Sequence, residues 1–302
     1  MKKKLDLFLA NLINPKPVDN FIVVAHRGAS KQAPENTIAA FRKAIAIGAN
    51  GIELDVIFTQ DDVPVVAHHP NVSDRVHPTS RPAIISNMTC SEVKKLDMGQ
   101  WFSEEFIGER VPTLKDALLF LKDKVKRIYI HDKIENDYSG SNKKRINIFS
   151  QTIKDLNMHH TAVVMVESGD LSLWQETAPD IQLLQCWVGR EGQANRISLS
   201  AAFRDGIQHL GVDHGRKQLN LVGRGLSKIF LQNVGAFIGF WPNKHVVSRY
   251  TRYDAKFVVF TINDPLKMKL YIDAGFEAIG TDDPYLLISV LKSLGLTESV
   301  GG

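Results

Sequence analysis

The 302-residue chain has little of several things that would point away from an ordinary globular domain. It has only two cysteines, Cys90 and Cys186, which form no close-spaced metal motif and no disulfide framework. They suit a reducing compartment, and they fit an exported protein as well. No stretch approaches the roughly 18 consecutive apolar residues of a spanning helix, so no transmembrane segment is expected. Charge of one sign is also missing: 37 basic and 33 acidic residues, in mixed order, leave a net charge of +4. Without a basic stripe interleaved with aromatics, nucleic acid is not an expected partner. Internal repeats and low-complexity tracts are absent. Lys2-Lys3-Lys4 ahead of Leu5 to Ile13 has the outline of an export signal. However, Asp6 and Asn11 interrupt the apolar stretch, and no small-x-small cleavage pattern precedes Pro15. Residues 1–20 therefore read as an amphipathic helical extension, and the default placement is cytoplasmic, with export as the alternative. Nothing in the sequence specifies an oligomeric state.

What is present is a globular composition, 44% hydrophobic and 23% charged, with ample material for a core. Short β-branched runs alternate with helical patterns from residue 21 to about 290. The candidate strands are 21–25, 51–57, 127–132, 161–167, 181–187, 207–213, 257–262 and 277–281. Strands alternating with helices imply a parallel sheet, and eight such units in under 300 residues predict an α/β chain folded as a (β/α)8 TIM barrel. The barrel is expected over 21–292, with a tail over 293–302. Residues 58–112 are too long for one strand-to-helix loop. They contain the strand-like Pro64-Val65-Val66-Ala67 after a turn at Asp61-Asp62, so a small inserted subdomain is expected after the second strand. Helix starts are marked by Asn36, by Thr113 with Asp116, and by Asp264-Pro265 and Asp283-Pro284. The segment 188–256 is poorly delimited.

The residues with chemistry gather at strand ends. His26-Arg27-Gly28 follows the first strand and precedes Glu35-Asn36-Thr37. A titratable base, a fixed cation and a backbone-freeing glycine make a poor core and a suitable oxyanion site. In Gly51-Ile52-Glu53-Leu54-Asp55-Val56, alternation puts Ile52, Leu54 and Val56 on one face and both carboxylates on the other. Two adjacent buried carboxylates repel each other unless a cation shares them. A hard divalent metal accounts for the pair better than structural acids satisfied by Arg or Lys. In the third strand, Tyr129, His131 and Lys133 share the lumen face. His131 is then a candidate ligand, and Lys133 can pair with Asp55 or bind a phosphate oxygen. His68 and His69 end the segment after Val65-Val66-Ala67, and on extended backbone they would point in opposite directions, so at most one serves the site. With His26 this supplies two imidazoles for acid–base work near neutral pH. Two imidazoles, an arginine and a metal suit transfer at a phosphodiester.

These residues resemble the glycerophosphodiester phosphodiesterase family. The matching stretches are His26-Arg27-Gly28-Ala29, Pro34-Glu35-Asn36-Thr37, Ile52-Glu53-Leu54-Asp55-Val56, Val65-Val66-Ala67-His68, and Leu96 to Phe102 through Val111-Pro112-Thr113-Leu114. Later come Thr261-Ile262-Asn263 and Gly280-Thr281-Asp282-Asp283-Pro284. Ordered, correctly spaced motifs over about 21–290 are more specific than one short pattern. The resemblance implies a TIM barrel with an insertion after its second strand, and divalent-metal-dependent hydrolysis of a small-molecule glycerophosphodiester to an alcohol and glycerol phosphate. By the same resemblance, His26 and His68 are the acid–base pair, Arg27 clamps the phosphate, Glu53 and Asp55 hold the metal, and Lys133 sits beside the substrate.

The chain departs from the family's pattern in three places. His69 stands where the family usually has aspartate, His131 where it has the third carboxylate ligand, and Phe260 where it has tryptophan. The family's ion would be Mg²⁺ or Ca²⁺. Glu53, Asp55 and His131 carry one negative charge fewer than three carboxylates, which favours an imidazole-accepting ion such as Mn²⁺ or Zn²⁺. Alternatively, Glu167, ending the fourth strand, supplies the missing oxygen. Two rival readings use the same residues. One is a phospholipase D-like lyase that stops at a cyclic phosphate, for which Trp101, Trp187 and Phe240-Trp241 would form an apolar rim. The other is a degenerate barrel that binds a phosphorylated ligand without turnover.

Overall fold

Every second residue of the strands faces the helices, and the others face inward. Ile52, Leu54, Val56, Ile128, Ile130, Val164, Val166, Val259 and Ile279 pack in one buried cluster with helix residues such as Leu114, Leu118, Phe149, Trp174, Leu287 and Leu291. Their neighbours Val24, Tyr129, Val163, Met165, Leu184, Val258, Phe260 and Ala278 form a second cluster. Burial on both faces is what a parallel sheet wrapped by helices requires. The computed structural model that establishes this describes residues 21–76, 82–133, 141–167, 170–186, 209–213, 247–248, 251 and 255–296. The helical extension at 1–20, the tail beyond 296, and Trp187 and Phe240-Trp241 lie outside the described residues.

The strands are β1 (Ile22–His26), β2 (Gly51–Phe58), β3 (Pro64–Val66), β4 (Arg127–Asp132), β5 (Ala162–Val166), β6 (Gln182–Gln185), β7 (His209–Asp213), β8 (Lys256–Phe260) and β9 (Ala278–Thr281). All eight expected strands are present. Apart from β3, each pairs in parallel with the next, and β9 pairs back to β1 from Ile22↔Ala278 to Ala25↔Thr281. The ring closes, as a (β/α)8 barrel must. The second cluster above fills its lumen.

Among the described residues the α-helices are α1 (Ile38–Ile47), α2 (Cys90–Val93), α3 (Leu114–Leu121), α4 (Ser141–Asp155), α5 (Leu171–Thr177), α6 (Pro265–Ala274) and α7 (Pro284–Ser293). Thr113 and Asp116 form the expected capping box on α3, and Asp264 and Asp283 cap α6 and α7 ahead of a first-turn proline. One expectation is corrected: Thr37, not Asn36, caps α1, its hydroxyl accepting from the Ala40 N–H at 3.2 Å. Asn36 sits at φ 58° in the left-handed region, which asparagine tolerates better than most residues, and its side chain is used elsewhere. No helix among the described residues is long and apolar enough to cross a membrane.

β3 runs antiparallel to β2, with Val56 opposite Val66, after a turn in which Asp62 has φ 55°. Between β2 and α3 a third buried cluster forms around Ile57, Val65, Val72, Ile85, Val93, Leu96, Met98 and Val111. This small core brings Arg75 and Trp101 to the rim of the barrel.

Candidate active site

The site begins where β1 stops. Arg27 (φ 58°) and Gly28 (φ 83°) reverse the chain in the left-handed region. Gly28 lies so close to α1 that an added Cβ would come within 2.6 Å of the Ala40 Cβ, which explains the glycine. This turn aims the Arg27 backbone N–H at Glu53 Oε2, 3.0 Å away. Its side chain is held from two sides: Nη1 donates to Glu35 Oε2 at 2.9 Å, and Nε lies 3.2 Å from Asp55 Oδ2. Glu35 is shared with Arg75, whose guanidinium also stacks over the Trp101 ring at 4.8 Å.

β2 presents both acids to the lumen, as alternation requires, and both are buried. Asn36 clamps Asp55 in both directions. Its Nδ2 donates to Asp55 Oδ2 at 3.0 Å, and its Oδ1 accepts the Asp55 N–H at 3.3 Å. Because β4 pairs with β2 in register, His131 lies opposite Asp55. Its Nδ1 is 3.6 Å from Asp55 Oδ1, and Lys133 Nζ is also 3.6 Å from that oxygen. Ligand atoms of Glu53, Asp55 and His131 all lie within 4.8 Å of one another. Among the described residues this is the one group of three or more His, Cys, Asp or Glu side chains placed to hold a metal ion. Glu167 is exposed beyond the end of β5 and does not belong to it.

His26 faces this group from β1. Its Nδ1 is 2.7 Å from Asp282 Oδ1, and its Nε2 is 3.9 Å from Glu53 Oε2. Asp282 is fixed in turn by the Ser30 hydroxyl (3.2 Å) and the Asn263 amide (2.6 Å). His68 stands on the other side, at the end of the segment after β3. Here a second expectation is corrected: His68 and His69 do not diverge. Their rings meet edge to face at 4.2 Å, and His68 Nδ1 is 3.0 Å from His69 Nε2. Strict alternation stops with β3 at Val66, so it no longer governs the two histidines. Both line a pocket with Glu35, Asn36, Val72 and Arg75.

The electrostatics fit a cation site. Burial, and then the Asp55 charge, push the Glu53 carboxyl up to about 7. Burial would raise Asp55 too, but Arg27, then His131, His68 and Lys133, hold it below the usual carboxylate range. Burial, with Lys133 adding to it, pushes His131 down to about 3, so its imidazole is neutral and its lone pair is available to a metal. Burial also pushes His68 down to about 4, helped by Arg27 and Lys133 against Asp55. His26 goes the other way: burial lowers it, but Glu53 and the Asp282 hydrogen bond outweigh that and raise it. Two buried carboxylates of which one resists ionisation, beside a neutral imidazole, are a donor set that a divalent ion would complete.

Asp282, Glu35 and Arg75 carried no assigned role in the sequence, although the first two lie within recognised motifs. Asp282 is 256 residues from His26, and Arg75 is 40 from Glu35, so no local pattern announces either pair. Trp101 is exposed, as a rim residue would be.

Comparison with known proteins converges on one group. The family model described as "Glycerophosphoryl diester phosphodiesterase family" matches residues 26–286. A glycerophosphodiester phosphodiesterase of Caldanaerobacter subterraneus subsp. tengcongensis is 30% identical over 277 residues, spanning 91% of this chain and 99% of that one. The solved structure of an Oleispira antarctica phosphodiesterase in complex with the product sn-glycerol-3-phosphate superposes with a TM-score of 0.69 at 23% identity, covering 90% of this chain and 96% of the other. A glycerophosphodiester phosphodiesterase from Thermotoga maritima gives a TM-score of 0.62 at 23% identity, covering 89% and 97%. At such identities the two structures speak for the barrel fold alone.

Proposed function

The chain belongs to the glycerophosphoryl diester phosphodiesterase family, a family of phosphoric diester hydrolases, and from that premise we propose that it hydrolyses small glycerophosphodiesters to an alcohol and glycerol phosphate. The observation that carries the reading is the His26 Nε2, 3.9 Å from one carboxylate of a buried Glu–Asp–His group whose donor atoms lie within 4.8 Å. Glu53, Asp55 and His131 would hold one divalent ion. When bound, that ion supplies Lewis-acid stabilisation of charge on the phosphoryl oxygens. With an imidazole among the donors, Mn²⁺ or Zn²⁺ fits this group better than Mg²⁺ or Ca²⁺.

The chain's own residues do the rest. Arg27, fixed by Glu35 and Asp55, and Lys133 bind and orient the phosphate. His26 and His68 form the acid–base pair: one imidazole takes the proton of the attacking hydroxyl while the other gives a proton to the departing alcohol oxygen. If the attacking group is the substrate's own glycerol hydroxyl, its oxygen bonds to phosphorus as the alcohol leaves. A cyclic phosphate forms, which water then opens with the two imidazoles exchanging roles.

The test is hydrolysis of sn-glycero-3-phosphocholine, followed by phosphorus NMR. Turnover should vanish on chelation, return with one added divalent ion, and fall by about 10²-fold or more in His26→Ala. Full turnover after chelation, or in His26→Ala, refutes the mechanism. A cyclic phosphate that accumulates as the end product identifies a lyase instead.

A further inference from the structure

His68 is half-buried and neutral near pH 7, because burial outweighs Asp55 and pushes it down to about 4. A neutral imidazole carries its proton on one nitrogen only, so whichever group meets Nδ1 decides what Nε2 can do. The group at Nδ1 is His69 Nε2, 3.0 Å away, with the two rings edge to face at 4.2 Å. His69 itself is exposed. An aspartate in its place would only accept and would add a negative charge. An imidazole side chain carries no fixed charge, and its Nε2 can accept or donate, depending on the tautomer.

We propose that His69 is a positioning residue for His68: the Nδ1–Nε2 contact holds the His68 ring, turns its Nε2 toward the cleft, and lets its Nδ1 proton shift onto His69. The proton count closes. When Nε2 of His68 takes a proton in the cleft, its Nδ1 proton passes to Nε2 of His69, and His69 releases its own Nδ1 proton to water. One proton goes from cleft to solvent, and no charge stays in the buried site. The idea rests on the phosphodiesterase reading for its kinetic consequences, but the contact itself can be observed without turnover.

The experiment compares His69→Ala, His69→Gln and His69→Asp. It uses kcat and KM for sn-glycero-3-phosphocholine across about pH 3.5 to 9, thermal melting, and ¹⁵N shifts of labelled histidines. The groups facing His68 are Asp55, Arg27, Lys133, His69 and His131, with Glu35 and Arg75 on the same pocket wall; all are unchanged in these variants except His69. His69→Ala should lower kcat on the order of ten-fold with KM little changed, and should move the His68 Nδ1 shift away from its hydrogen-bonded value. His69→Gln, whose amide reaches the same point and can pair with Nδ1 in either sense, should recover part of the rate. His69→Asp should move the acid-side inflection of the rate profile up by about one unit, since a carboxylate stabilises the imidazolium. A His69→Ala enzyme with native kcat and pH profile overturns the proposal. So does an equal loss in all three variants without any change in the His68 nitrogen shift. Wild-type protein that fails to turn over substrate, with the His68 nitrogen shift still changing in His69→Ala, would sink the phosphodiesterase reading and leave the contact standing.

Discussion

Replacing Asp282 by asparagine tests how the His26 end of the site is wired. Asp282 Oδ1 meets His26 Nδ1 at 2.7 Å and accepts from the Ser30 hydroxyl at 3.2 Å, while Oδ2 accepts from Asn263 Nδ2 at 2.6 Å. Asn263 cannot turn over, because its Oδ1 already accepts from the Thr281 hydroxyl at 2.8 Å and from the Asp282 N–H at 3.0 Å. An asparagine at 282 must therefore keep its oxygen toward Asn263 and point its own N–H₂ at His26. That donor requires a lone pair on Nδ1 and drives the ring proton to Nε2, the nitrogen that faces Glu53 and the cleft. It also removes a charge that helps keep His26 raised against the pull of burial. A histidine forced into the wrong tautomer in a serine-protease triad loses about 10⁴ in kcat, and acid–base assistance is generally worth about 10²–10⁴. The expected loss for Asp282→Asn is on the order of 10²–10³ in kcat at pH 7 with saturating metal, with KM much less affected. Asp282→Ala leaves room for water, which can accept from Nδ1, so it should retain at least as much activity as the isosteric variant. Steady-state kinetics on sn-glycero-3-phosphocholine decides the matter. An Asp282→Asn enzyme within threefold of wild type, or one impaired only in KM, would show that Asp282 does not set the His26 tautomer.

Two further outcomes follow from the charges. In chelator, the melting temperature should rise with pH toward about 6.5, because His68 and His131, held near 4 and 3 in the fold, would be protonated only in the unfolded chain. Above that it should fall through about 7, because the raised Glu53 and His26 bind their protons more tightly when folded and that advantage is lost as they ionise. A divalent ion should abolish the fall, and equal stabilisation by the ion at pH 5 and pH 8 would contradict this reasoning. His131→Glu should move metal preference toward Mg²⁺ and Ca²⁺ by about ten-fold or more relative to Mn²⁺ and Zn²⁺ in calorimetric titrations; unchanged ratios would remove His131 from the ligand set.

The barrel was legible because its signal is periodic. Two-residue alternation in β2 separates Ile52, Leu54 and Val56 from Glu53 and Asp55, and the same period in β4 sends His131 to the acids' side, where parallel register sets it beside Asp55. Capping was legible where one local contact decides it, as at Thr113 with Asp116. At α1 two adjacent residues could each cap. The choice fell to Thr37 because Asn36 lies in the left-handed region, its N–H donating to the Arg27 carbonyl at 3.0 Å while its side chain serves Asp55 across the barrel mouth. That constraint is tertiary, and no propensity contains it. The histidine pair is hidden for the opposite reason: alternation holds only to the end of β3 at Val66, and the backbone beyond no longer obeys it.

The division between what was readable and what was not follows the division of labour in the site. Strands supply the candidate ligands Glu53, Asp55 and His131, at positions set by the fold's period, and a substitution there is expected to change the preferred ion while the backbone geometry stays in place. The turns supply Asn36, His69 and Asp282, which hold a carboxylate and two imidazoles through single hydrogen bonds. Substitutions on the turns therefore act on proton placement and ligand orientation rather than on ligand number. By the resemblance drawn from the sequence, this chain departs from the family's pattern once in each set, at His131 and at His69. If the two act independently, as side chains on separate elements, the double variant His131→Glu/His69→Asp should show the metal preference of the first and the pH profile of the second, each at full size. Interaction between them, measured as a double-mutant cycle that fails to add, would mean that metal and proton transfer are coupled through Asp55, which influences both His131 and His68.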